Sequence, residues 1–326
     1  MRNEEHVLQR MFDSVKHFVE AVIVVDTGST DRSKEIVNSW TLPVIVIDNE
    51  WKDDFAHSRN VALLYAYRWA QEHPEKTWYG LFMDADNEAH PTPNFVIPTE
   101  PQPDAWIVEM RNNDVSYDYL WMVKLNFQTP WAWFYPLHEV CQPAKTENND
   151  FVMDSRKASY GRLKGIWINS GRDGTRNKNP KKYLDDVSIL EKWIKEHPND
   201  LRCNYYLGQS WLDAGYPIMA EAIYDNMLRA DNVGDLMFIA ALRSGMIKML
   251  RDLDPEKPLM RAREISPHRR EPLYYLAKYW QSKGMKQMAK DMIEKALSLK
   301  LIDGIVFLDK TIWEDKVQQL AKELGM

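Results

Sequence analysis

Two stretches of the sequence, 69 residues apart, carry the same pattern, and this repeat constrains the fold most strongly. Residues 205–215 read YYLGQSWLDAG and residues 274–284 read YYLAKYWQSKG, with Leu, Trp and Gly in register. The match continues to Ala220 and Ala289. The separation is close to twice a period of about 34 residues, which is typical of stacked helical hairpins. We therefore expect helical repeats in the last part of the chain, with a diverged middle copy near residues 238–250.

The first half of the chain instead alternates short apolar runs with helix-like segments. The runs are rich in β-branched or aromatic residues and are bounded by turn residues, which is typical of strands. The expected strands are Ala21–Val25, Val44–Ile47, Trp78–Met83, Ala105–Met110 and Tyr119–Phe127. Helices are expected over 32–40 and 56–72, where capping residues or apolar spacings of three and four occur. This alternation predicts an α/β domain.

Composition restricts the class of protein. The 326 residues contain 42 Lys+Arg against 48 Asp+Glu, and this net charge of −6 argues against a sequence-independent nucleic-acid binder. Cys141 and Cys203 match no metal-ligand spacing, so a reducing, cytoplasmic compartment fits better than a disulfide framework. Because the start lacks a signal-like apolar region and no apolar run approaches about 18 residues, we expect neither secretion nor membrane insertion.

Two Asp-x-Asp pairs, Asp84/Asp86 and Asp252/Asp254, are candidates for binding a divalent metal. Paired carboxylates offer hard oxygen ligands that Mg²⁺ or Mn²⁺ would share with substrate phosphates. Chance alone would produce such pairs in a chain of this composition, so their placement must decide between them. Asp84 and Asp86 follow an expected buried strand, which is the end at which open α/β sheets bind ligands. The other pair lies in a helical region beside Pro255.

Five motifs in a fixed order give the first half a family resemblance. They are Asn3-Glu4-Glu5, VVDTGSTD at 24–31, DFAHSRNVA at 54–62, FMDAD at 82–86 and Leu137-His138-Glu139. In this order they resemble a family 2 glycosyltransferase of the GT-A fold, of the branch with C-terminal tetratricopeptide-like helical repeats. The resemblance implies a GT-A domain over 1–170, a basic loop or linker over 171–184 and an all-α tetratricopeptide-like domain over 185–326.

The resemblance implies a metal-dependent inverting glycosyltransferase. The donor would be a nucleotide-diphospho-sugar, in the first place a UDP-sugar, and Mn²⁺ or Mg²⁺ would stabilise the leaving nucleoside diphosphate. The acceptor hydroxyl would belong to a glycan or protein, and the concave surface of stacked helical repeats would hold it. Two alternatives stay open: a catalytically weak transferase domain that serves as a helical-repeat scaffold, and a glycosyltransferase that acts on modified DNA bases.

The resemblance also assigns the residues of the donor site. Asp26 and Asp84 would contact the nucleotide and its ribose, and Asp86 would bind the metal. Arg59 would approach the base or the diphosphate, since a guanidinium forms forked, charge-assisted bonds. The structural alternatives are a turn or capping residue for Asp26 and a helix-surface salt bridge for Arg59.

On the acceptor side, the resemblance points to His138 and Glu139 as the catalytic residues. His138 would complete the metal or diphosphate shell, and Glu139 would deprotonate the acceptor hydroxyl as the general base. Asp114 and Asp118 compete with Glu139 for that role. The nearby Trp131 and Trp133 are equally divided between lining the acceptor site and belonging to the core.

A basic loop and the first residues complete the expectations. Arg176 is the best candidate in a cluster of Arg and Lys at 172–182 that would close over the diphosphate and exclude water, the alternative being a solvated linker. Family members have a complete first strand before the Asn3-Glu4-Glu5 segment, whereas this sequence starts at Met1. We therefore expect the edge of the nucleotide pocket near Asn3 and Glu4 to be built differently.

Overall fold

A computed structural model describes residues 1–112, 115–148, 150–230, 232–302 and 308–326. The chain divides into two compact units, Met1–Lys182 and Tyr183–Met326. The first unit mixes helices and strands, and the second is helical throughout the residues that the structure describes. The predicted succession of an α/β domain and an all-α domain is therefore confirmed.

The first unit contains three helices and ten strands in its described residues. The helices are α1 (Leu8–Val15), α2 (Ser33–Asn38) and α3 (Phe55–Glu72). The strands are β1 (Val22–Asp26), β2 (Val44–Asp48), β3 (Tyr79–Leu81), β4 (Glu88–Pro91), β5 (Ala105–Asn112), β6 (Val115–Lys124), β7 (Trp131–Phe134), β8 (Val140–Glu147), β9 (Asp150–Met153) and β10 (Tyr160–Asn169). A short 3-10 helix covers Thr175–Lys178.

These strands form three sheets. β1 and β2 are parallel and in register, with Asp26 opposite Asp48. The largest sheet has the order β3-β6-β5-β10-β4, in which only the β5–β10 pairing is parallel. β7, β8 and β9 form an antiparallel sheet. Every strand expected from the sequence is present, although β3 is shorter than the predicted range 78–83, and β10 is inserted between strands that precede it in the chain.

Helices α1 and α3 cover the cores of this unit. α1 buries Leu8, Met11, Phe12 and Val15, whose spacing puts them on one helical face, against residues of the five-stranded sheet. On α3, the buried residues pack with the aromatic residues of β7. Trp131 is 1% exposed and belongs to this core. The suggestion that Trp131 lines the acceptor site is therefore wrong, because its ring is buried in this core.

The second unit consists of helical hairpins. Its helices are α4 (Lys182–Glu196), α5 (Leu201–Asp213), α6 (Pro217–Met227), α7 (Asp235–Leu250), α8 (Glu256–Ile265), α9 (Glu271–Ser282), α10 (Lys286–Ser298) and α11 (Val317–Glu323), with a π-helical turn over Ile312–Lys316 before the last. Successive pairs from α5 to α10 pack as three hairpins. No helix in the described part of the chain has the length and apolarity needed to cross a membrane.

The hairpin turns confirm the repeat that the sequence predicts. Gly215 and Gly284 follow α5 and α9 with φ of +86° and +75°, a left-handed conformation that favours glycine. The next residue in each copy donates to the carbonyl of the repeated Trp, from Tyr216 to Trp211 and from Met285 to Trp280, both at 2.9 Å. The diverged middle copy is the hairpin of α7 and α8.

Candidate active site

The centre of the candidate site is an arginine between two carboxylates. Arg59 Nε donates to Glu139 Oε1 at 2.6 Å, and its Nη2 donates to Asp84 Oδ1 at 2.6 Å. Arg59 lies on α3, Asp84 follows β3, and Glu139 precedes β8. Burial alone would lower the pKa of Arg59, but the charges of Asp84 and Glu139 raise it well above its ordinary value. The structure thus brings together three residues that the sequence singled out separately.

The ring of Trp133 packs against one face of the Arg59 guanidinium. The guanidinium carbon of Arg59 lies 4.7 Å from the centre of the Trp133 ring, a cation–π contact. The side chain of Asn60 fixes the backbone of Trp133 through two hydrogen bonds of 2.8 Å, one donated and one accepted. Trp133 therefore acts through Arg59 instead of presenting its ring to a ligand.

The second carboxylate of the Asp-x-Asp pair lies beneath the loop that follows β10. Asp86 Oδ2 accepts from the backbone amide of Gly174 at 3.2 Å. Burial, reinforced by the charge of Asp84, raises the pKa of Asp86 above its ordinary value. Gly171 approaches so closely that a Cβ there would lie 1.9 Å from the Asp86 carbonyl oxygen. The loop thus requires glycine where it meets the candidate metal ligand.

The start of the chain holds the same loop. Glu4 accepts from the Thr175 amide at 3.1 Å, and Asn3 accepts from the Thr175 hydroxyl through its carbonyl. Burial raises the pKa of Glu4, and the charge of Asp86 adds to this effect. Met1 lies beside β1, where its ammonium donates to the Val25 carbonyl at 2.6 Å. Asn3 and Glu4 therefore border the loop as well as the turn after β1.

Arg10 is a residue of this site that the sequence reasoning missed. Its guanidinium makes two bonds of 2.9 Å to the Asp173 carboxylate and one of 3.2 Å to the Asp86 carbonyl. It thereby joins α1, the Asp-x-Asp segment and the loop. The partners lie 163 residues apart in the chain, and no local motif marks Arg10, so the sequence carries no signal for this contact.

Asp26 ends β1 and is buried, with 1% of its surface exposed. Burial would raise the pKa of Asp26, but hydrogen bonds from Ser29 and Lys34 outweigh it and hold that pKa below the ordinary value. The Ser29 amide donates to it at 3.1 Å, and Lys34 Nζ lies 3.4 Å away. The carboxylate therefore organises the turn that contains Gly28, whose φ is +101°. A nucleotide contact by Asp26 stays a prediction.

Arg176 and His138 flank the start of α3. The Arg176 guanidinium carbon lies 4.5 Å from the centre of the Phe55 ring, and the Phe55 amide donates to the Pro136 carbonyl at 2.9 Å. His138 is exposed and has φ of +52°, in the turn just before Glu139. The described residues contain no group of three His, Cys, Asp or Glu side chains able to hold a metal. The assignment of His138 to the metal stays a prediction.

Of the two competitors for the general base, Asp118 lies away from Asp84. Asp118 on β6 forms an ion pair of 2.5 Å with Arg162, and both side chains are more than half exposed. Neighbouring strand residues point to opposite faces, so Asp118 faces away from Tyr119, whose pKa burial raises and the charge of Asp84 raises further. Asp114 lies outside the described residues. Among the candidate bases that the structure describes, Glu139 is the one that shares Arg59 with Asp84.

Comparison with known proteins bears directly on this region. The family model "Glycosyl transferase family 2" matches residues 1–95. The matched residues lie within the first unit. The match contains the motifs of Asp26, Arg59, Asp84 and Asp86, whereas Glu139, His138 and Arg176 lie beyond it. The first unit thus resembles family 2 glycosyltransferases over residues 1–95, and helical hairpins follow it in the chain.

The individual proteins that resemble this chain match it over only part of its length. A TPR repeat-containing protein of Synechococcus elongatus is 36% identical over 88 residues, which are 27% of this chain and 19% of that relative. A crystal structure of MamA has a TM-score of 0.35 and 19% identity, covering 46% of this chain and 92% of MamA. A thermophilic TPR protein of Thermus thermophilus has a TM-score of 0.31 and 15% identity, covering 44% and 73%.

Proposed function

We propose that the first unit transfers a sugar, with inversion, from a nucleotide-diphospho-sugar to an acceptor hydroxyl, and that the donor is UDP-linked. The observation that carries the proposal is the grouping of Asp84 and Asp86 with Arg59 and Glu139 at the end of β3. The match of residues 1–95 to family 2 glycosyltransferases supports the same reaction class.

The chemistry of Asp84 and Asp86 fits a divalent cation. Asp84 Oδ2 receives no hydrogen bond from the described residues, and the two carboxylates raise each other's energy because both are negative. Hard carboxylate oxygens suit Mn²⁺ or Mg²⁺, which would neutralise the charge of the leaving diphosphate. The diphosphate and water would complete the coordination.

The remaining residues have separate tasks in this proposal. Asp26 orders the turn after β1 and would bind the nucleoside, while Arg176 would meet the diphosphate from its position over Phe55. Glu139 accepts from Arg59 through Oε1, and none of the described residues donates to Oε2. That second oxygen would take the proton of the attacking hydroxyl. His138, one residue earlier, would contact the diphosphate or metal.

The helical unit would hold the acceptor, a glycan or a protein. Stacked helical hairpins form extended surfaces that are suited to binding a second molecule. Removal of residues 183–326 is then expected to weaken acceptor use more than nucleotide binding. Equal transfer to a native acceptor with and without these residues would contradict this part of the proposal.

The test of the donor site is a thermal-shift series of nucleoside diphosphates with and without Mn²⁺. A ligand at about 100 times its Kd stabilises a protein by roughly 2.7 kcal/mol, so binding is readily detected. We expect a Mn²⁺-dependent shift with UDP that is lost in Asp86→Ala. Asp252→Ala is the matched control, because Asp252 belongs to the second Asp-x-Asp pair, where it is 92% exposed and pairs with Lys283.

A measurement of catalytic turnover completes the test of the donor site. Mn²⁺-dependent hydrolysis or transfer of a UDP-sugar is expected from the unaltered chain and from Asp252→Ala, but not from Asp86→Ala. Full activity in Asp86→Ala would remove the metal assignment, and the absence of any nucleotide shift in the unaltered chain would contradict the proposed donor.

A further inference from the structure

We propose that Arg59 is a positioning residue that holds the carboxylates of Glu139 and Asp84 in place and does not bind the diphosphate of the donor. This inference rests on the proposed function and changes the role that the family resemblance assigns to Arg59. It follows from the contacts of the guanidinium, from its charge balance and from its support by Trp133.

The guanidinium is already engaged on several sides. Of its five N–H groups, the Nε donor binds Glu139 and one Nη2 donor binds Asp84, both at 2.6 Å. One face of the group lies against the Trp133 ring, and the side chain is only 24% exposed. Because Asn60 anchors the backbone of Trp133 at both the amide and the carbonyl, this support is itself fixed.

The charge balance argues against a diphosphate contact. One positive charge lies between two carboxylates, so the three side chains together carry a net charge of −1. An anionic diphosphate gains little from a cation whose charge is already neutralised, whereas a divalent metal is attracted to the group as a whole. The charges thus favour a metal over a direct Arg59–phosphate bond.

The contacts of Arg59 would align the donor side of the site with the acceptor side. Asp84 belongs to the segment that would bind the donor, and Glu139 is the candidate base for the acceptor hydroxyl. By bonding to one oxygen of each, Arg59 fixes the distance between the donor side and the acceptor side while the second oxygens stay available. Reactions between two bound substrates depend steeply on such alignment. Without Arg59, the two like charges would repel each other and move apart.

The experiment compares Arg59→Gln with Arg59→Lys. We expect Arg59→Gln to bind Mn²⁺–UDP with a Kd within threefold of the unaltered chain but to lose at least 100-fold in kcat. A loss of kcat without a loss of binding would separate alignment of the two carboxylates from direct contact with the nucleotide. Arg59→Lys keeps the positive charge but loses the forked arrangement of donors, so it should also keep Mn²⁺–UDP binding and lose kcat.

Arg162→Gln is the matched control, since it removes an arginine from an ion pair with Asp118 in the same unit, away from the site. It should change neither kcat nor the Kd of Mn²⁺–UDP. If Arg59→Gln weakens Mn²⁺–UDP binding by tenfold or more, Arg59 contacts the nucleotide and the inference is overturned.

A double-mutant cycle separates this inference from the proposed function. Urea unfolding of Arg59→Gln, Glu139→Gln and the double variant should give a coupling of at least fivefold in the unfolding equilibrium constant. Strictly additive effects would overturn the inference even if nucleotides bind. An unaltered chain that binds no nucleotide but keeps the coupling would contradict the proposed function while supporting the hold of Arg59 on Glu139.

Discussion

The ring of Tyr224 occupies the space that a side chain on Gly208 would need. A Cβ on Gly208 would lie 2.5 Å from the Tyr224 ring, which is shorter than any tolerated contact. The equivalent positions of the third hairpin, 69 residues later, are Ala277 and Ile293, both fully buried. One copy thus pairs glycine with the large tyrosine ring, and the other pairs alanine with the smaller isoleucine.

The contact between Gly208 and Tyr224 can be tested by substituting each residue alone and both together. Gly208→Ala should lower the free energy of unfolding by about 1–3 kcal/mol through overpacking, despite the better helix propensity of alanine. In a Tyr224→Ile background the same change should be neutral or stabilising, because the smaller side chain leaves room for the methyl group. Urea denaturation of the unaltered chain, the two single variants and the double variant measures this. Equal effects of Gly208→Ala in both backgrounds would contradict the packing model.

The raised pKa of Asp86 predicts a conflict between stability and activity. A carboxyl whose pKa is higher in the folded than in the unfolded state costs stability when ionised, and that cost disappears as the pH falls towards its ordinary value of 3.8. Asp86→Asn should therefore raise the Tm at pH 7 by about 1–3 °C and reduce the gain in stability on acidification. Metal-dependent turnover should be lost.

The comparison for Asp86→Asn is Asp173→Asn, since hydrogen bonding to Arg10 lowers the pKa of Asp173. The effect of Asp173 on stability is therefore opposite to that of Asp86. The Asp173 carboxylate stabilises the fold above its ordinary pKa, and this contribution is lost on acidification. Asp173→Asn should therefore lower the Tm at pH 7. Calorimetry between pH 4 and pH 8 distinguishes the two directions, and a loss of stability in both variants at pH 7 would contradict the assignment for Asp86.

Gly171 is expected to tolerate no side chain. In Gly171→Ala the added methyl group would meet the Asp86 carbonyl at 1.9 Å, which backbone movement alone can relieve. The loop should then lift from Asp86, with weaker nucleotide binding and a loss of about 1–3 kcal/mol in stability. Gly174→Ala is the milder comparison, since its methyl group would meet the Asp86 carboxylate at 2.9 Å. Unchanged nucleotide affinity in Gly171→Ala would show that the loop is not part of the site.

A buried ion pair in the helical unit should be costly to break. Arg269 and Glu271 lie 2.7 Å apart and are 2% and 1% exposed. Glu271→Ala would remove the carboxylate that lies against the buried guanidinium of Arg269 and should cost about 3–5 kcal/mol. Glu264→Ala removes a 62% exposed partner of Arg261 and should cost less than about 1 kcal/mol. Chemical denaturation measures both, and similar losses would contradict the role of burial.

The sequence predicts the parts of the molecule whose determinants are local. The repeat, the strand before Asp84 and the helix that carries Arg59 each follow from periodicity within a short segment. The contact between Arg59 and Glu139 spans 80 residues and depends on tertiary packing, so the motifs indicate both residues without indicating their bond. Arg10 and Asp173 carry no motif that links them.

The strand β10 was missed for a related reason. Its sequence, YGRLKGIWIN, mixes glycine and basic residues with apolar ones, and its register with β5 shifts between Arg162 and Trp167. This irregularity removes the strict alternation by which a strand is recognised from sequence. Its partners, β4 and β5, were completed more than 45 residues earlier in the chain, so only the fold reveals the pairing.

The position of β10 in the chain also determines when β4 can gain its sheet neighbour during biosynthesis. β4 ends at Pro91 and pairs with β10, which begins at Tyr160. At a synthesis rate of about 5–20 residues per second, roughly 3–14 s pass between completion of β4 and the start of β10. During this interval the strand lacks its sheet neighbour, and the Asp-x-Asp segment just before it lacks the loop that follows β10. The loop that contacts Asp86 can therefore join the candidate active site only after β10, the strand that completes the sheet, has been synthesised.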